Sequence, residues 1–448
     1  MRLFGTDGVR GVANTELTAE MAFNLGKAGA YVLGKGGGKP LIIIGRDTRI
    51  SGDMLEDAIS AGILSMGGDV VKAGVLPTPA VAWLVRHEGA DAGVVISASH
   101  NTFEYNGIKF FNRLGFKLDD AIEDEIEALA LGGDGINAHI KGDRLGRLRE
   151  DSGKAARAYA DFLKSTLDVD VSGMKVALDC ANGAAYKVAP MVFSELGARV
   201  TLIGDSPDGT NINDGCGSTR PEKLQAAVRE QGADLGLAFD GDADRLIAVD
   251  EKGGIIDGDQ LMYIAAKLYK SRKALKNNVI TATVMSNIGL RKALAGIGCE
   301  LQTTDVGDRY VLERMLKTGG VIGGEQSGHV ILLDRSTSGD GILTGLQLAA
   351  AVTGLSRKPS ELAGEVAIYP QVLRTVKVGN DKKLAYLHDE TIRAEIKRIE
   401  ADMAGDGRVL IRPSGTEPLI RVMIEGDDLG RISGMAEGLA DLMLRRLG

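Results

Sequence analysis

GADAGVVISASHN, residues 89–101, sets a short apolar run directly before a polar loop that contains two serines, a histidine and an asparagine. The same succession returns in GADLGLAFDGDADR, residues 232–245, and in GGVIGGEQSGH, residues 319–329. Short apolar runs bounded by glycine and polar residues are typical of buried strands. Each loop is followed by a further apolar run, NGIKFF, RLIAVD or HVILLD, which predicts a strand that turns back.

Each of these strands is the third in a repeated set, which opens with two further apolar runs separated by segments of helical period. The pairs of opening runs are LIIIGRDTR (41–49) and GGDVVKAGV (67–75), MKVALDCANG (174–183) and GARVTLIGD (197–205), and NNVITATVMSN (277–287) and GCELQTTDVGD (298–308). Strands that alternate with helices predict α/β units with largely parallel sheets. Open α/β sheets bind ligands beyond the carboxyl ends of their strands, where all three polar loops are expected.

The C-terminal segment has a different pattern. VLRTVKV, GRVLIRPSGTEPLIRVMIEG and RISGMAEGLADLMLRRL predict strands and helices of a small α+β domain. We therefore predict an α/β protein of three repeated mixed-sheet α/β domains plus a smaller C-terminal α+β domain, arranged around a central cleft. The expected domains are 1–150, 151–253, 254–367 and 368–448, with glycine-rich polar stretches near 131–146 and 354–371 as linkers.

Composition excludes several classes of partner. The 448 residues carry a formal net charge of −8, so neither a nucleic acid nor an anionic membrane is an expected partner. Cys180, Cys216 and Cys299 are far apart and form no metal-binding or disulfide spacing. The start MRLFGTDGVRG lacks the apolar core of a signal peptide, and no apolar run is long enough to span a membrane. These features predict a cytoplasmic protein.

The stretch FDGDADR offers three carboxylates at alternate positions, Asp240, Asp242 and Asp244. On an extended backbone all three project to one side, where they repel one another unless a cation is bound. Oxygen ligands of this kind suit Mg²⁺. An EF-hand loop requires glycine where Arg245 stands, and it requires flanking helices, so it fits poorly. A solvated acidic turn remains an alternative.

Ser99 admits three interpretations. A hydrolase nucleophile favours the pattern G-x-S-x-G, whereas Ala98 and His100 flank this serine. A helix cap is common for serine and stays open. The third interpretation is a serine that carries a phosphoryl group, with the aspartates nearby and with Lys109 and Arg245 to neutralise charge.

Two further loops are candidates for binding a sugar phosphate. RPSGTEP, residues 412–418, combines an arginine, two hydroxyls and a glycine, which suits a phosphate, with Arg421 as a second cationic group. An ordinary turn between two strands is the alternative. GGEQSGH places Glu325, Ser327 and His329 in one loop, where a carboxylate and a hydroxyl can hold sugar hydroxyls. An ordinary loop with a hydrogen-bonded histidine is the alternative here.

Taken together, SASHN, DGDADR, GEQSGH and RPSGTEP occur in an order that resembles the α-D-phosphohexomutase superfamily across essentially the whole chain. FGTDGVRG, the glutamine in GEQSGH and VGDRYV (306–311) resemble the branch that acts on glucosamine phosphates. Thr102 departs from the proline that many members have after His-Asn. Asp308 and Arg309 depart from the glycine and histidine frequent in the phosphomannomutase branch.

The resemblance implies specific site residues. It implies that Ser99 is the phosphoserine, and that its phosphate and Asp240, Asp242 and Asp244 hold one Mg²⁺ per chain. It assigns charge stabilisation to Arg245 and Arg10 and proton transfer to Lys109 and His100. It assigns sugar contacts to Glu325 and Ser327, with His329 close by, and the non-reacting phosphate to Arg412, Ser414, Gly415, Thr416 and Arg421.

The activity implied by the resemblance is that of an isomerase. Glucosamine 6-phosphate and glucosamine 1-phosphate interconvert through glucosamine 1,6-bisphosphate, for UDP-N-acetylglucosamine and cell-wall precursor synthesis. The expected partner is a small-molecule amino-sugar phosphate, and a homodimer is one assembly left open. The alternatives are a phosphomannomutase or phosphoglucomutase of the same superfamily and a noncatalytic sugar-phosphate-binding protein. A haloacid-dehalogenase-type enzyme with Asp240 as nucleophile requires Thr or Val where Asp244 stands.

Overall fold

The computed structural model describes residues 3–5, 7–34, 38–132, 140–414 and 417–448. It divides into two compact units, one formed by residues 1–285 and 299–364 and the other by residues 286–298 and 365–448. None of the helices within those described ranges is both long enough and apolar enough to cross a bilayer.

The first sheet has seven strands in the order β1-β2-β6-β5-β3-β4-β7. Its strands are β1 (Phe4–Gly5), β2 (Gly8–Val12), β3 (Leu41–Arg46), β4 (Asp69–Val75), β5 (Ala92–Ile96), β6 (Tyr105–Asn112) and β7 (Leu148–Glu150). Its helices are α1 (Ala19–Leu33), α2 (Ser51–Ser65), α3 (Thr78–His87) and α4 (Asp120–Leu131). Every residue of β5 is buried, as expected for a central strand covered on both faces.

The second sheet has five strands in the order β12-β11-β10-β8-β9. Its elements are α5 (Lys154–Ser165), β8 (Lys175–Asp179), α6 (Ala185–Glu195), β9 (Arg199–Ile203), α7 (Glu222–Gln231), β10 (Leu235–Phe239), β11 (Leu246–Val249) and β12 (Ile255–Ile256). As in β5, every residue of β10 is buried.

The third sheet has four strands in the order β14-β13-β15-β16. Its segment contains α8 (Gly258–Ser271), β13 (Val279–Thr283), α9 (Ile288–Gly296), β14 (Glu300–Thr304), α10 (Asp308–Thr318), β15 (Ile322–Gly324), β16 (Val330–Leu332), α11 (Gly341–Gly354) and α12 (Pro359–Ala363). Helix α9 belongs to the second compact unit, although the strands on either side of it belong to the first.

The second unit is built on an antiparallel sheet of three strands in the order β17-β19-β18. Its further elements are β17 (Gln371–Lys377), α13 (Glu390–Asp402), β18 (Arg408–Pro413), β19 (Leu419–Glu425) and α14 (Leu429–Leu447). Apolar side chains of α13, β19 and α14, including Ile392, Val422 and Leu439, form its buried core. Its antiparallel sheet and helices are of the α+β type that the sequence predicts for residues 368–448, and the unit includes residues 286–298 as well.

The first three sheets share one strand order. In each, the first strand of the repeat pairs in parallel with the second and the third. The fourth strand, β6, β11 or β16, runs antiparallel beside the third. The predicted strands that turn back are therefore present, and the predicted fold class is confirmed. Because this order is repeated, the loops after β5, β10 and β15 leave their sheets at equivalent places.

Candidate active site

The loops after β5 and β10 meet. Ser99 Oγ donates a hydrogen bond to Asp240 Oδ2 at 2.7 Å, although 141 residues separate the two in the sequence. Both side chains are buried. The candidate phosphoryl carrier of the first sheet therefore lies against the candidate metal ligands of the second.

The aspartate triplet converges as a cation site requires. One carboxylate oxygen from each of Asp240, Asp242 and Asp244 lies within 4.8 Å of the other two, and all three residues are buried. Asp242 Oδ1 and Asp244 Oδ1 are buried and accept no hydrogen bond from any residue in the described part of the chain. Buried carboxylate oxygens without a donor are costly unless a cation takes the donor's place. These residues therefore fit a divalent metal ion bound by oxygen.

The electrostatics of the triplet lead to the same conclusion. Burial, together with the carboxylates of Asp244 and Asp242, raises the pKa of Asp240 well above its ordinary value. Burial opposes ionisation of Asp244 as well, but the cationic groups of His329, Lys109 and Arg245 lower its pKa. Three buried carboxylates thus repel one another, and a bound cation relieves that repulsion.

Three basic side chains of the predicted set lie near the Ser99 hydroxyl or the cavity beside it. His100 Nδ1 is 3.4 Å from Ser99 Oγ and 3.2 Å from a terminal nitrogen of Arg245. Burial and the charges of Arg245 and Arg10 lower the pKa of His100. The Nε atoms of Arg10 and Arg245 are buried and donate to no acceptor among the described residues. Unused guanidinium donors suit an anionic ligand such as a phosphate.

Lys109 lies on β6 and is almost completely buried. Its Nζ is 3.0 Å from Asp242 Oδ2 and 3.1 Å from Asp7 Oδ2. Burial alone would favour the neutral amine, but Asp242 and Asp7 outweigh it and raise the pKa of Lys109. Lys109 is therefore a fixed positive charge beside the triplet.

A polar cavity of about 230 Å³ opens beside these groups. Its walls come from all three α/β sheets and carry charges of both signs. It is lined by Asp7, Arg10, Lys117, Asp244, Arg245, Val306, Gly307, Asp308, Glu325 and His329. Such a cavity suits a small molecule that combines an anionic group with hydroxyl groups.

The loop after β15 contributes two residues to this cavity, Glu325 and His329. His329 is buried, with Nδ1 3.5 Å from Asp244 Oδ2 and Nε2 3.5 Å from Asp308 Oδ2. Ser327 is exposed, and its hydroxyl donates to Glu325 Oε2 at 3.5 Å. The structure thus places Glu325 and His329 on the cavity wall, and Ser327 reaches it only through Glu325.

The predicted phosphate loop lies in the second compact unit. Arg412 on β18 stands directly opposite Arg421 on β19, so the two side chains share one face of the sheet. Two cations in this position repel each other unless an anion is present, although Arg421 also donates to Glu417 Oε2 at 3.5 Å. The carbonyl of Ser414 accepts a hydrogen bond from Lys383 Nζ at 2.6 Å. Gly415 and Thr416 lie outside the described residues.

Comparison with known proteins agrees with this arrangement. The phosphoglucomutase/phosphomannomutase alpha/beta/alpha domains I, II and III match residues 1–134, 157–254 and 257–369, and the C-terminal domain of the same proteins matches residues 373–442. A phosphoglucosamine mutase of Alkaliphilus oremlandii is 56% identical over 447 residues, which cover 100% of this chain and 99% of that protein. The chain belongs to the phosphoglucosamine mutase family. The resemblance to hexose-phosphate mutases drawn from the sequence is thus confirmed.

Solved structures share the fold of this phosphoglucosamine mutase family member. A phosphoglucomutase/phosphomannomutase family protein from Burkholderia thailandensis superposes with a TM-score of 0.82 at 25% identity, over 99% of this chain and 97% of that one. An N-acetylphosphoglucosamine mutase from Aspergillus fumigatus, solved with GlcNAc-6P and magnesium, gives a TM-score of 0.67 at 16% identity, over 100% and 96% of the two chains. At that identity the second likeness shows the fold alone.

The structure brings to the cavity three charged residues to which the sequence assigned no part in the site, namely Asp7, Lys117 and Asp308. Lys117 Nζ bridges Asp7 Oδ1 at 2.6 Å and Asp308 Oδ2 at 2.7 Å. Asp7 follows β1 and Asp308 begins α10, so this bridge joins the first and third sheets across the cavity wall. One sign in the sequence indicates that these residues belong to the site. Asp7 and Asp308 lie within FGTDGVRG and VGDRYV, two of the stretches on which the family resemblance rests.

The sequence also gives no indication of a role for Thr78, the first residue of α3. Its hydroxyl donates to Asp242 Oδ2 at 2.7 Å, and its backbone N–H donates to the Asp242 carbonyl at 2.9 Å. Lys109 donates to the same Oδ2. Since both donors occupy Oδ2, Oδ1 is left to face a cation. Thr78 therefore orients a candidate metal ligand from the neighbouring sheet.

We expect Thr78→Val to weaken Mg²⁺ binding about 10- to 100-fold, because valine keeps the shape of threonine but cannot hold the Asp242 carboxylate in place. Isothermal titration of the purified protein with Mg²⁺ measures this directly. Thr78→Ser, which keeps the hydroxyl, is the matched control and should bind Mg²⁺ nearly as the wild type does. Equal affinity of the valine variant and the wild type would show that Thr78 has no influence on the site.

Proposed function

We propose that this chain is an isomerase that interconverts glucosamine 6-phosphate and glucosamine 1-phosphate through a phosphorylated Ser99 and glucosamine 1,6-bisphosphate. The observation that carries the proposal is the 2.7 Å hydrogen bond from Ser99 Oγ to Asp240 within the buried aspartate triplet. The name of the relative from A. oremlandii, which matches the whole chain, supports an amino-sugar phosphate as the substrate. The product would serve UDP-N-acetylglucosamine and cell-wall precursor synthesis.

The first half-reaction uses the groups around Ser99. The bond between phosphorus and Ser99 Oγ breaks, and a new bond forms between phosphorus and the C1 hydroxyl oxygen of glucosamine 6-phosphate. The C1 hydroxyl loses a proton and the released Ser99 Oγ gains one, so the proton count is unchanged. His100 Nδ1, 3.4 Å from Ser99 Oγ, is placed to carry this proton and deliver it to the serine oxygen. Arg245 and Arg10 offer buried Nε–H groups to the transferring phosphoryl oxygens.

One Mg²⁺ would be held by Asp240, Asp242 and Asp244 together with a phosphate oxygen on Ser99. When bound, it neutralises charge on the transferring phosphoryl group. Lys109 and Thr78 fix the orientation of Asp242, and burial of the three aspartates limits access of water to them. Exclusion of water matters because hydrolysis of the phosphoserine would leave the enzyme unable to start a cycle.

The second half-reaction requires the bisphosphate to turn, so that its other phosphate faces Ser99. The phosphate that is not reacting then needs a site that binds the 1-phosphate and the 6-phosphate alike. We assign this site to Arg412 and Arg421, which are opposed on one sheet face, together with Ser414, Gly415 and Thr416. Two guanidinium groups suit a phosphate dianion. Glu325 and His329, which line the cavity, would contact the sugar, and Ser327 would act through its hydrogen bond to Glu325.

The proposed binding site for the non-reacting phosphate gives a testable prediction. We expect Arg412→Ala to raise KM for glucosamine 6-phosphate and for glucosamine 1-phosphate by the same factor, about 10- to 100-fold, the cost of one to two charge-assisted hydrogen bonds. Steady-state kinetics in both directions measure the two values. Arg398→Ala, which removes a surface guanidinium that pairs with Glu395 in the same unit, is the control. A loss confined to one isomer would contradict a shared grip.

The activity itself is tested with purified protein, Mg²⁺, glucosamine 6-phosphate and a trace of glucosamine 1,6-bisphosphate. Formation of glucosamine 1-phosphate, followed by ³¹P NMR, is the expected result. Glucose and mannose 6-phosphates are compared at the same concentration, and faster turnover of either would favour a phosphoglucomutase or phosphomannomutase. Absence of product with both the phosphorylated and the unphosphorylated protein would favour a noncatalytic sugar-phosphate-binding protein.

The roles of the four domains, the location of the protein and its assembly are predictions. The functional assignment of segments 1–150, 151–253, 254–367 and 368–448 to phosphoserine, metal, sugar and phosphate binding follows from the resemblance. A cytoplasmic location rests on the three cysteines, which are free thiols. A homodimer is open to measurement by light scattering.

A further inference from the structure

The backbone carbonyls of the loop that carries Ser99 converge on one buried guanidinium, that of Arg49. One terminal nitrogen of Arg49 donates to the carbonyls of Ser99 at 2.9 Å and Asn101 at 2.8 Å. The other donates to the carbonyl of Tyr105 at 3.0 Å and also to that of Thr102. The Arg49 side chain is fully buried, so water does not compete for these donors.

Asp47 completes the arrangement. Its Oδ2 accepts from Arg49 Nε at 2.8 Å, so that all five N–H bonds of the guanidinium are used. The same Oδ2 accepts from the Ser97 hydroxyl at 2.6 Å, and Ser97 Oγ in turn accepts from the Ser99 backbone N–H at 2.9 Å. The buried Asp47–Arg49 pair thus holds Ser99 from both sides, through its N–H and through its carbonyl.

A third contact comes from the second sheet's part of the chain. Asn213, in the loop between β9 and α7, donates through Nδ2 to the carbonyls of Ser99 and Asn101, both at 2.9 Å. The Ser99 carbonyl therefore accepts from two side chains at once. The loop with Asn213 follows β9, and Asp240 follows β10 of the same sheet. Asn213 therefore links the position of Ser99 to that of the aspartates.

The backbone of Ser99 shows why such support is needed. Its φ is +53°, in the left-handed region that non-glycine residues rarely adopt. A residue keeps this conformation only when its surroundings fix it, and such residues cluster at functional sites. In this conformation the Ser99 side chain bonds to Asp240 while Arg49 and Asn213 bond to the Ser99 carbonyl.

We propose that Asp47, Arg49 and Asn213 form a positioning device that fixes the Ser99 loop for both phosphoryl transfers. The inference rests on the proposed mutase function, since Ser99 must return to the same place after donating its phosphoryl group. Phosphoryl transfer depends on alignment of the attacking and leaving oxygens, and a displacement of about 1 Å can cost about 100-fold in rate. Arg49, Asp47 and Asn213 act through the backbone and touch no substrate.

The first experiment compares Arg49→Lys with the wild type. Lysine keeps the charge, but its single ammonium group cannot donate to four carbonyls and Asp47. We expect kcat for glucosamine 6-phosphate to fall about 100-fold, with KM within about threefold of the wild-type value. Arg149→Lys is the matched control, because Arg149 lies exposed on the edge strand β7 of the same sheet and should keep wild-type kcat. A kcat for Arg49→Lys within twofold of wild type overturns the proposal.

The second experiment does not depend on activity. Hydrogen–deuterium exchange of Arg49→Lys should rise at least about tenfold in peptides covering residues 97–105, and remain unchanged in peptides from β8 to β10. A rise spread over the whole first sheet, together with a large fall in melting temperature, would indicate a general structural pair and overturn positioning. An inactive wild type would contradict the mutase function, and this exchange measurement would then decide the positioning inference by itself.

Asn213→Ala provides the variant that keeps the Asp47–Arg49 pair intact. It removes one of two donors to the Ser99 carbonyl, so we expect kcat to fall about tenfold with little change in KM. This variant decides the question if Arg49→Lys does not fold. A kcat within twofold of wild type for Asn213→Ala would then overturn the proposal.

Discussion

Ser99→Ala stops the reaction: we expect turnover of glucosamine 6-phosphate to fall by at least about 10⁴-fold, as is found when a covalent nucleophile is removed. Without Oγ the chain has no atom at this site to accept and return the phosphoryl group. The fold should survive, because Oγ contributes one hydrogen bond to Asp240 and the loop stays held by its backbone. Binding of glucosamine 6-phosphate, measured by calorimetry, should remain within a few fold of wild type.

The control for this variant is Ser65→Ala. Ser65 ends α2, well before Ser99 in the chain, and its hydroxyl donates to the Gly62 carbonyl of its own helix, so its loss should leave turnover unchanged. Phosphopeptide mapping after incubation with labelled glucosamine 1,6-bisphosphate should find an acid-stable ester on Ser99 in the wild type and none in Ser99→Ala. An acid-labile acyl phosphate on Asp240 would instead identify a haloacid-dehalogenase type of mechanism.

The strands and polar loops were predictable because their signals are local. The apolar runs before Ser99 and Asp240 are short and bounded by glycine, and they became the fully buried strands β5 and β10. Repetition of the pattern fixed the class of the fold, since each copy had to form the same unit. Asp240, Asp242 and Asp244 likewise alternate within five residues. On an extended backbone this spacing alone places their side chains on the same side.

The supporting residues were not predictable because their partners are distant in the sequence. Thr78 lies 164 residues from Asp242, and Asn213 lies 114 residues from Ser99. These residues meet only where the helices and loops of the first sheet contact the loops of the second. GRDTR reads as an ordinary polar end of a strand, so nothing in it indicates that Arg49 turns inward to bind four carbonyls. Local pattern therefore indicated candidate residues such as Ser99 and the three aspartates, but not the side chains that hold them.

The charged side chains around Asp242 contribute to chemistry more than to stability. Asp242, Lys109 and Asp7 form a chain of alternating charge in which Asp242 and Lys109 are buried and Asp7 is partly exposed. Burial of charge is costly unless each group is paired. An apolar replacement of similar volume can be as stable, so the chain of charges is better explained by chemistry than by stability. It supplies a carboxylate of fixed orientation and a fixed cation at the aspartate triplet, where the proposed phosphoryl transfer needs them.

Asp242→Asn tests the cation directly. The substitution removes one of three negative charges and leaves the neutral carboxamide beside the Lys109 ammonium and the Thr78 hydroxyl. Since a change in the second shell alone weakens metal binding about 10- to 100-fold, loss of a charged ligand should raise the Mg²⁺ concentration for half-maximal activity by at least about 100-fold. Turnover at a fixed, subsaturating Mg²⁺ concentration should fall by a similar factor.

Two comparisons separate loss of the cation from loss of the fold. Asp214→Asn removes a carboxylate from an exposed position in the same part of the chain and should leave the Mg²⁺ requirement unchanged. Treatment of the wild type with a chelator should abolish turnover, and added Mg²⁺ should restore it. High Mg²⁺ should likewise restore part of the activity of Asp242→Asn, because the remaining carboxylates still bind, only more weakly. An unaltered Mg²⁺ dependence in Asp242→Asn would mean that the triplet holds no catalytic ion, and that Lys109, Arg245 and Arg10 alone neutralise the transferring group.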